Sequence, residues 1–406
     1  MAQTVSKHTL DRTAIEAASA ADKEPAWLLE NRLAAFDRFQ SLPSPTERSE
    51  GWRRTDLSGL AFEFVPPQPA SPGWKTLADV DVQHGVVVGQ LRVEGLGRFE
   101  NVVREAWSHV HAGLSIGKYS ALAEAAWKIG SFVYVPDGVE VSEPVRLGWM
   151  GGPYPRLLVV LGKDARLSLV DTHSDGGLPV PSVVDLIVGD GAHLTYAHVQ
   201  DDDRRSVSMS HQRARVGRDA KLVMLNFAMG GRVSRADVEV ELVGQGAESD
   251  MLGLVFGEGD QQFDFHTLQG HRAPDTRSDL LFKSALDDRS HSTYTGTISI
   301  GKDAPRSEAY QANRNLLLAE GARADTEPKL EILIDDVARC THGATIGPVD
   351  DEQLFYLRSR GLDTDTASRL IVEGFFQEVF HKVGDERVTA GLAKMVAPHV
   401  ERLGAH

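Results

Sequence analysis

The chain has 406 residues, of which 41% are hydrophobic and 25% charged, and its formal net charge is −15 at pH 7. This composition is typical of a globular protein with a large core, and the acidic balance argues against a nucleic-acid binder, which needs a basic surface. The single cysteine excludes an intramolecular disulfide and a four-cysteine zinc or iron–sulfur site within the chain.

The N-terminal segment MAQTVSKHTLDRTAIEAASAADKEPAW has no apolar stretch of the kind found in signal peptides. It also carries acidic residues, which transit peptides avoid. Elsewhere no apolar run approaches the roughly 20 residues that span a bilayer. We therefore expect a cytoplasmic protein that makes no membrane contact.

Residues 1–65 are predicted to form an N-terminal helical region. In WLLENRLAAFDRFQ the apolar residues recur every three to four positions, which is the spacing of one helix face; they are Leu29, Leu33, Phe36 and Phe39. Pro43 and Pro45 are expected to end that helix. Residues 66–83 follow as a proline-rich linker, because VPPQPASPG contains four prolines in nine residues.

Residues 84–347 are predicted to form a parallel β-helix, because short strand-like runs alternate there with a repeated turn motif. The motif reads apolar-Gly-x-Asp/Gly-Ala, and its alanines are separated by 27, 28, 27 and 57 residues; they are Ala165, Ala192, Ala220, Ala247 and Ala304. The last separation corresponds to two periods of about 28 residues. A period near 27 built of strands and turns indicates a solenoid. In this interpretation the glycine supplies a left-handed corner and the alanine turns inward, and parallel crossovers favour a right-handed coil.

Residues 348–406 are predicted to be helical again. TASRLIVEGFFQEVFHKVG has an apolar stripe at helical spacing, with Asp363 or Thr364 as the N-cap and Gly384 at the C-terminus. Terminal helices often cover the ends of a solenoid. The phenylalanines of the stripe are therefore either ordinary packing or part of a partner-binding face.

Cys340 and His342 are the residue pair whose chemistry matters most. At two residues apart on a strand, both side chains point to the same face. An imidazole beside a thiol suits metal ligation or proton transfer. A lone cysteine that packs as a small apolar residue is the competing interpretation.

Two other candidate chemistries are a nucleotide-binding P-loop and a hydrolytic pair of carboxylates. GLSIGKYS at residues 113–120 does not satisfy the P-loop pattern, because three residues rather than four separate its glycines and a tyrosine follows the lysine. Paired carboxylates would suit a carbohydrate-active β-helix enzyme; the candidates are Asp335, Asp336, Asp350 and Asp351. Turn and cap positions are the simpler use of these acids, so that enzyme is the alternative function.

The segment LEILIDDVARCTHGATIGPVDDEQLFYLRSRGL resembles the signature of the SufB/SufD family, the scaffold proteins of the SUF iron–sulfur cluster assembly system. EPAWLLENRLAAFDRF, KYSALAEAAWKIGSFVYVPDGVEVSEPVRL and RSEAYQANRNLLL resemble other family segments in the same order. The resemblance runs from about Pro25 to Val383. CTHGAT and the absence of a second cysteine make the chain more similar to SufD members than to SufB members.

This resemblance implies a flattened right-handed β-helix flanked by helical regions, and a scaffold subunit without catalytic activity. Such a subunit pairs with a SufB-like protein through the β-helices and binds the SufC ATPase through its C-terminal helices, so this chain would bind no nucleotide itself. A homodimer is possible when the subunit is isolated. The nascent iron–sulfur cluster would be transient and shared with SufB.

The resemblance also assigns residues. His342 would lie at the SufB–SufD interface as a metal ligand shared with the partner or as a proton-transfer group, and Cys340 would lie at the same interface with a less defined role. The SufC contact would fall on the segment after the β-helix and on the phenylalanine helix; its candidates are Leu354, Phe355, Tyr356, Arg358, Arg360, Phe375 and Phe376.

Overall fold

The computed structural model describes residues 10–58, 74–76, 85–91, 99–111, 117–128, 130–149, 154–174 and 181–401. These residues form a parallel β-solenoid flattened into two nine-stranded sheets. Sheet 1 contains, in spatial order, β1 Trp74–Thr76, β4 Val145–Trp149, β6 Arg166–His173, β8 His193–Gln200, β10 Lys221–Ala228, β12 Glu248–Gly257, β14 Arg277–Leu286, β16 Ser307–Leu317 and β18 Val337–Pro348. The prediction of a mainly β protein with a parallel solenoid is confirmed.

Sheet 2 lies opposite, and the chain alternates between the two sheets. It contains β2 Val87–Leu91, β3 Gly130–Val135, β5 Arg156–Leu161, β7 Pro181–Val188, β9 Val207–Val216, β11 Val233–Leu242, β13 Gln262–His271, β15 His291–Ile300 and β17 Arg323–Ile332. Strands β3 to β18 pair in parallel with the strand two places on, whereas β1 and β2 pair antiparallel at the first end.

The repeated motif forms the corner from each sheet 2 strand to the next sheet 1 strand. Its alanines are buried, as predicted, and the intervening coil is present between Ala247 and Ala304, with Thr276 at the position where Ala247 stands in the coil before. The role predicted for the first glycine was wrong. The left-handed residue is the fourth of the motif, as at Asp164 with φ 56° and Gly191 with φ 68°.

The first glycine is required for a different reason, which is the close approach of successive coils. A Cβ on Gly189 would lie 2.7 Å from the carbonyl oxygen of Leu161 in the preceding coil. No real Cβ makes so short a contact, and the obstacle is backbone that is fixed in the strand ladder.

Seven helices flank the strands in the described ranges. The N-terminal set is α1 Arg12–Ala21, α2 Ala26–Ser41, α3 Glu100–His111 and α4 Lys118–Ala126, and the C-terminal set is α5 Asp351–Ser359, α6 Thr364–Val383 and α7 Glu386–Val400. Helix α2 ends just before Pro43, as expected. The N-cap of α6 is Asp363, which accepts from the Thr366 amide at 2.8 Å, and Gly384 follows in the left-handed conformation at φ 71°.

Two helices interrupt the range that was predicted to be β-helix. Helices α3 and α4 lie inside the range assigned to the β-helix, at residues 84–347, so the parallel stack begins only at β3. These helices have an apolar face of their own, including Val103 and Trp107, which packs with Trp127 against sheet 2. The linker predicted at residues 66–83 lies outside the described residues, except for β1.

Buried charges hold α4 on the outer face of sheet 2. Arg213 on β9 contacts Glu124 of α4 at 2.6 Å and Asp185 of β7 at 2.7 Å, and Arg156 of β5 also pairs with Asp185. Burial lowers the pKa of Arg156, whereas Asp185 and Glu124 raise the pKa of Arg213 despite its burial. On the opposite side, α6 and α7 cover the outer face of sheet 1 with a continuous apolar cluster.

Candidate functional site

The candidate site lies on β18, the last strand of sheet 1. This strand pairs with β16 on one side, and β17 is likewise the last strand of sheet 2. Within the described part of the chain, no strand pairs with the outer edges of β17 and β18. The solenoid therefore ends in two long open edges, each of which presents unpaired backbone donors and acceptors.

The strand register fixes which way Cys340 and His342 point. Cys340 lies beside Ala309 and His342 beside Gln311, both of which are buried on the inward face of β16. Their neighbours on the other face, Tyr310 and Ala312, pack in the cluster under the C-terminal helices. Cys340 and His342 therefore share the inward-facing side of the final coil, as their spacing predicted.

Cys340 is partly buried in an apolar corner with Ile298, Ile300 and Ala304. Burial raises the pKa of its thiol. Because the thiolate is the form that attacks or ligates, this environment keeps Cys340 protonated at neutral pH. Its surroundings are those of a packed apolar residue.

His342 has the opposite environment. Its side chain is exposed, and among the described residues none makes a hydrogen bond or ion pair with it. Its strand neighbour Gln311 is buried below it. The imidazole is therefore available to a group that arrives from beyond the last coil.

Exposed apolar side chains surround this end of the solenoid. The described residues include seven large apolar side chains that are exposed, and four of these belong to the final coil: Leu330, Ile332, Leu333 and Ile346. Leu333 is 61% exposed. Apolar groups beside open strand edges are characteristic of an interaction surface.

The other three exposed apolar residues, Phe355, Tyr356 and Leu370, lie on α5 and α6. Helix α5 buries none of its residues, and Phe355 is 73% exposed. Between α5 and α6 is a cleft of about 740 Å³, lined in part by Tyr356, Leu357, Leu370 and Phe375. We refer to α5 and this cleft as the C-terminal patch.

The predicted partner-binding residues differ in how far they are exposed to solvent. Phe355, Tyr356, Arg358 and Arg360 are exposed, and Leu354 is half-buried. Phe375 borders the cleft and lies under the ammonium of Lys283 at 4.4 Å. Phe376 differs: it is 1% exposed and packs between α6 and sheet 1, so it contributes to the core instead of the patch.

The acidic residues considered for hydrolysis take ordinary structural positions. Asp350 is the N-cap of α5 and accepts from the amides of Glu352 at 2.8 Å and Gln353 at 3.1 Å, and Asp351 lies in the first turn of the same helix. Asp335 and Asp336 are exposed in the turn between β17 and β18. Caps and turns account for all four.

Comparison with known proteins adds the family. Residues 148–375 match the model described as "SUF system FeS cluster assembly, SufBD core domain". An iron–sulfur cluster assembly SufBD family protein of Mycobacterium tuberculosis is 33% identical over 297 residues, covering 69% of this chain and 74% of that protein. The chain belongs to the SufBD family of iron–sulfur cluster assembly proteins.

Named SufBD relatives match almost the whole chain. Bacillus subtilis SufD is 26% identical over 97% of this chain and 99% of its own length. SufB of the same organism is also 26% identical, over 92% of this chain and 89% of its own length. The family resemblance seen in the sequence is thus confirmed at the level of the SufBD family, to which both kinds of subunit belong.

Within the described residues, no helix combines the length and apolar character needed to cross a bilayer.

Sequence reasoning missed a buried cluster of Asp171, His173 and His198. Asp171 and His198 are 27 residues apart, so aligning the chain by its own repeat period would have placed them side by side.

Proposed function

We propose that this SufBD-family chain is a SufD-like scaffold subunit without catalytic activity. It pairs with a SufB-like subunit through the last coil of the solenoid and binds a SufC-like ATPase through the C-terminal patch. The observation that carries this proposal is the final coil, which holds His342, four exposed apolar side chains and two strand edges that no other described strand pairs with.

The physical case for pairing rests on the open edges. Solitary proteins normally blunt such edges with charge, proline or a covering helix. Here β18 spans Val337–Pro348, and Thr341 to Ile346 are all exposed along it. Strands of a second solenoid can extend both sheets by backbone hydrogen bonds while the apolar residues pack across the junction.

The number of ligands supports a subunit that shares its site. A cluster is usually held by four protein ligands, and this chain offers one exposed imidazole and one partly buried thiol at the candidate site. The missing ligands would come from the SufB-like partner, and the cluster would be transient cargo between the two subunits. His342 would serve there as ligand or proton carrier.

The C-terminal patch supports a separate partner. It lies on α5 and α6, whose residues are distinct from those of the final coil, and it combines exposed aromatic side chains with Arg358 and Arg360. Aromatic and arginine side chains are enriched in protein interfaces. ATP hydrolysis would then belong to the SufC-like partner bound at this patch.

The test is co-purification with the SufB-like and SufC-like proteins of the same organism. Ile346→Lys places a charge on the final coil and should abolish binding of the SufB-like subunit. Leu370→Lys is the matched control, since Leu370 is 44% exposed against 46% for Ile346 but lies outside the final coil. Unchanged SufB-like binding by Ile346→Lys would contradict the proposal.

The same material separates a homodimer from the heterodimer. Light scattering on the chain alone gives the mass of any self-association, and addition of the SufB-like subunit should replace it with a heterodimer. The chain alone should also assemble no stable iron–sulfur cluster when iron and sulfide are supplied. A homodimer that persists in excess SufB-like subunit would overturn the heterodimer.

A further inference from the structure

A second group of chemically active side chains lies inside the solenoid, far along the stack from His342. Asp171 and His173 are on β6, and His198 is on β8. All three are buried, and strand pairing places Asp171 directly beside His198. They lie on the inward face of the solenoid, in two rows that continue through Asn226 and Gln200 in the neighbouring coils.

Both imidazoles hydrogen-bond to the carboxylate of Asp171, at spacings that also suit the coordination sphere of a metal. Oδ2 of Asp171 lies 3.2 Å from Nε2 of His173 and 3.1 Å from Nδ1 of His198, and all three atoms lie within 4.8 Å of one another. Ligands bound at about 2.1 Å in a tetrahedral or octahedral site are about 3.0 to 3.4 Å apart. The two distances from Oδ2 of Asp171 to the imidazole nitrogens already fall in this range.

The surroundings hold the donors in place. The His173 ring stacks on Trp149 with centroids 6.5 Å apart and an interplanar angle of 20°. The two imidazole centroids are 4.8 Å apart. His198 also borders a small internal cavity that is lined by Gln200, Asn226 and Ser210.

We propose that Asp171, His173 and His198 form a mononuclear site for a divalent transition metal. Two imidazole nitrogens and one carboxylate oxygen are the donor set of non-haem iron(II) sites and of many zinc sites. The ion would cross-link β6 to β8 in the early coils. This inference is independent of the proposed function, since it concerns neither partner surface.

The experiment uses the full chain, purified without partners, stripped with chelator and kept anaerobic. Cobalt(II) is the optical probe, and iron(II) and zinc(II) are titrated by calorimetry to rank the ions. One equivalent of cobalt(II) should bind with the visible absorption of nitrogen and oxygen ligation. Asp171→Asn and His198→Gln should weaken binding roughly 100-fold or more, because each removes a ligand.

Two variants are the controls. His193→Gln changes a histidine of β8 that faces Arg166, and His381→Gln changes an exposed histidine of α6; both should bind one equivalent as the unaltered chain does. Binding that persists in Asp171→Asn and His198→Gln, or that disappears in His381→Gln, would overturn the proposal. So would the absence of stoichiometric binding by the unaltered chain.

Should the cluster variants fail to fold, X-ray absorption on the unaltered chain loaded with one equivalent reads the ligands directly. Two imidazoles and an oxygen shell support the site, whereas a sulfur neighbour would place the ion at Cys340 and overturn it. Because no partner protein enters this experiment, its failure leaves the co-purification test of the proposed function unaffected.

Discussion

Gln311 and His342 are register partners on β16 and β18, yet Gln311 is 2% exposed and the His342 side chain is exposed. The two side chains continue one inward-facing row, in which Leu280 precedes them. The change from buried to exposed therefore marks where the stack of coils stops. A further coil supplied by a partner would cover His342 as β18 covers Gln311.

Substitution of His342 should separate assembly from chemistry. His342 is exposed, and His342→Ala removes no hydrogen bond or ion pair within the described residues, so we expect the free energy of unfolding to change by less than about 0.5 kcal/mol. In the complete complex the subunits should remain associated while cluster content falls about tenfold or more. Size-exclusion chromatography and the absorbance of the anaerobically isolated complex measure the two quantities.

Cys340→Ser is the companion variant. Because the Cys340 thiol is partly buried and its pKa is raised, we expect it to lower stability by about 1 kcal/mol and to leave cluster content nearly normal. If the intact His342→Ala complex has normal cluster content, neither His342 nor Cys340 takes part in cluster chemistry, and both have only a structural role.

The C-terminal patch gives an independent prediction. Phe355→Ala and Tyr356→Ala should each weaken binding of the SufC-like ATPase by about tenfold or more, because exposed aromatic residues that become buried in an interface contribute strongly. Binding of the SufB-like subunit should not change. Phe376→Ala is the contrasting variant. Because Phe376 is buried between α6 and sheet 1, this substitution should lower the free energy of unfolding by about 3 to 5 kcal/mol. Calorimetric titration and thermal unfolding distinguish these effects.

Much of the fold was predictable because the coils of a solenoid have nearly the same length, so their turn residues recur at a regular spacing in the sequence. The alanine spacing anticipated the stacked corners and even the coil where Thr276 replaces alanine. Helices α3 and α4 were missed because the strand-rich region was assigned as one unit. The apolar spacing of Val103, Ala106 and Trp107, three and one residues apart, was available and points to a helix.

The candidate site was predictable only in part. Two-residue spacing on a strand placed Cys340 and His342 on one face, but their different exposure depends on the packing of Ile298, Ile300 and Ala304 around the thiol. Likewise the phenylalanine stripe was evident, whereas the choice of Phe376 over Phe375 for burial is set by how α6 docks on sheet 1. Neighbouring helix positions differ by about 100°, so only the tertiary structure decides.

Successive coils approach closely at some glycines and not at others. The loss of stability caused by a glycine-to-alanine substitution should therefore depend strongly on its position. Gly189→Ala should destabilise the chain by about 1 to 3 kcal/mol, because its Cβ would meet the backbone of Leu161 and Gly162. Gly343→Ala is the control, since a Cβ there meets nothing within 4 Å, and it should change stability by less than about 0.5 kcal/mol. Urea unfolding monitored by circular dichroism compares them. Equal midpoints for the two variants would contradict the close approach.

His271 predicts how stability depends on pH. It is fully buried on β13, and its ring nitrogens lie 2.7 Å from Oγ1 of Thr276 and 2.8 Å from Oγ of Ser278. Burial, followed by the charge of Arg272, lowers its pKa from 6.5 to about 4. Between these values the unfolded chain takes up a proton that the folded chain does not bind. The contribution of His271 is therefore complete above about pH 6.5 and is lost as the pH falls towards 4.

The difference between the two pKa values of His271 sets how much stability is lost on acidification. It lowers the free energy of unfolding by roughly 3 kcal/mol between pH 6.5 and pH 4. His271→Gln keeps a hydrogen-bonding side chain but cannot titrate, so its stability should fall less steeply between pH 6.5 and 4. Chemical unfolding at several pH values gives both slopes, and their difference isolates His271 from the other titrating groups. Parallel curves for the two chains would show that the buried imidazole does not control stability in this range.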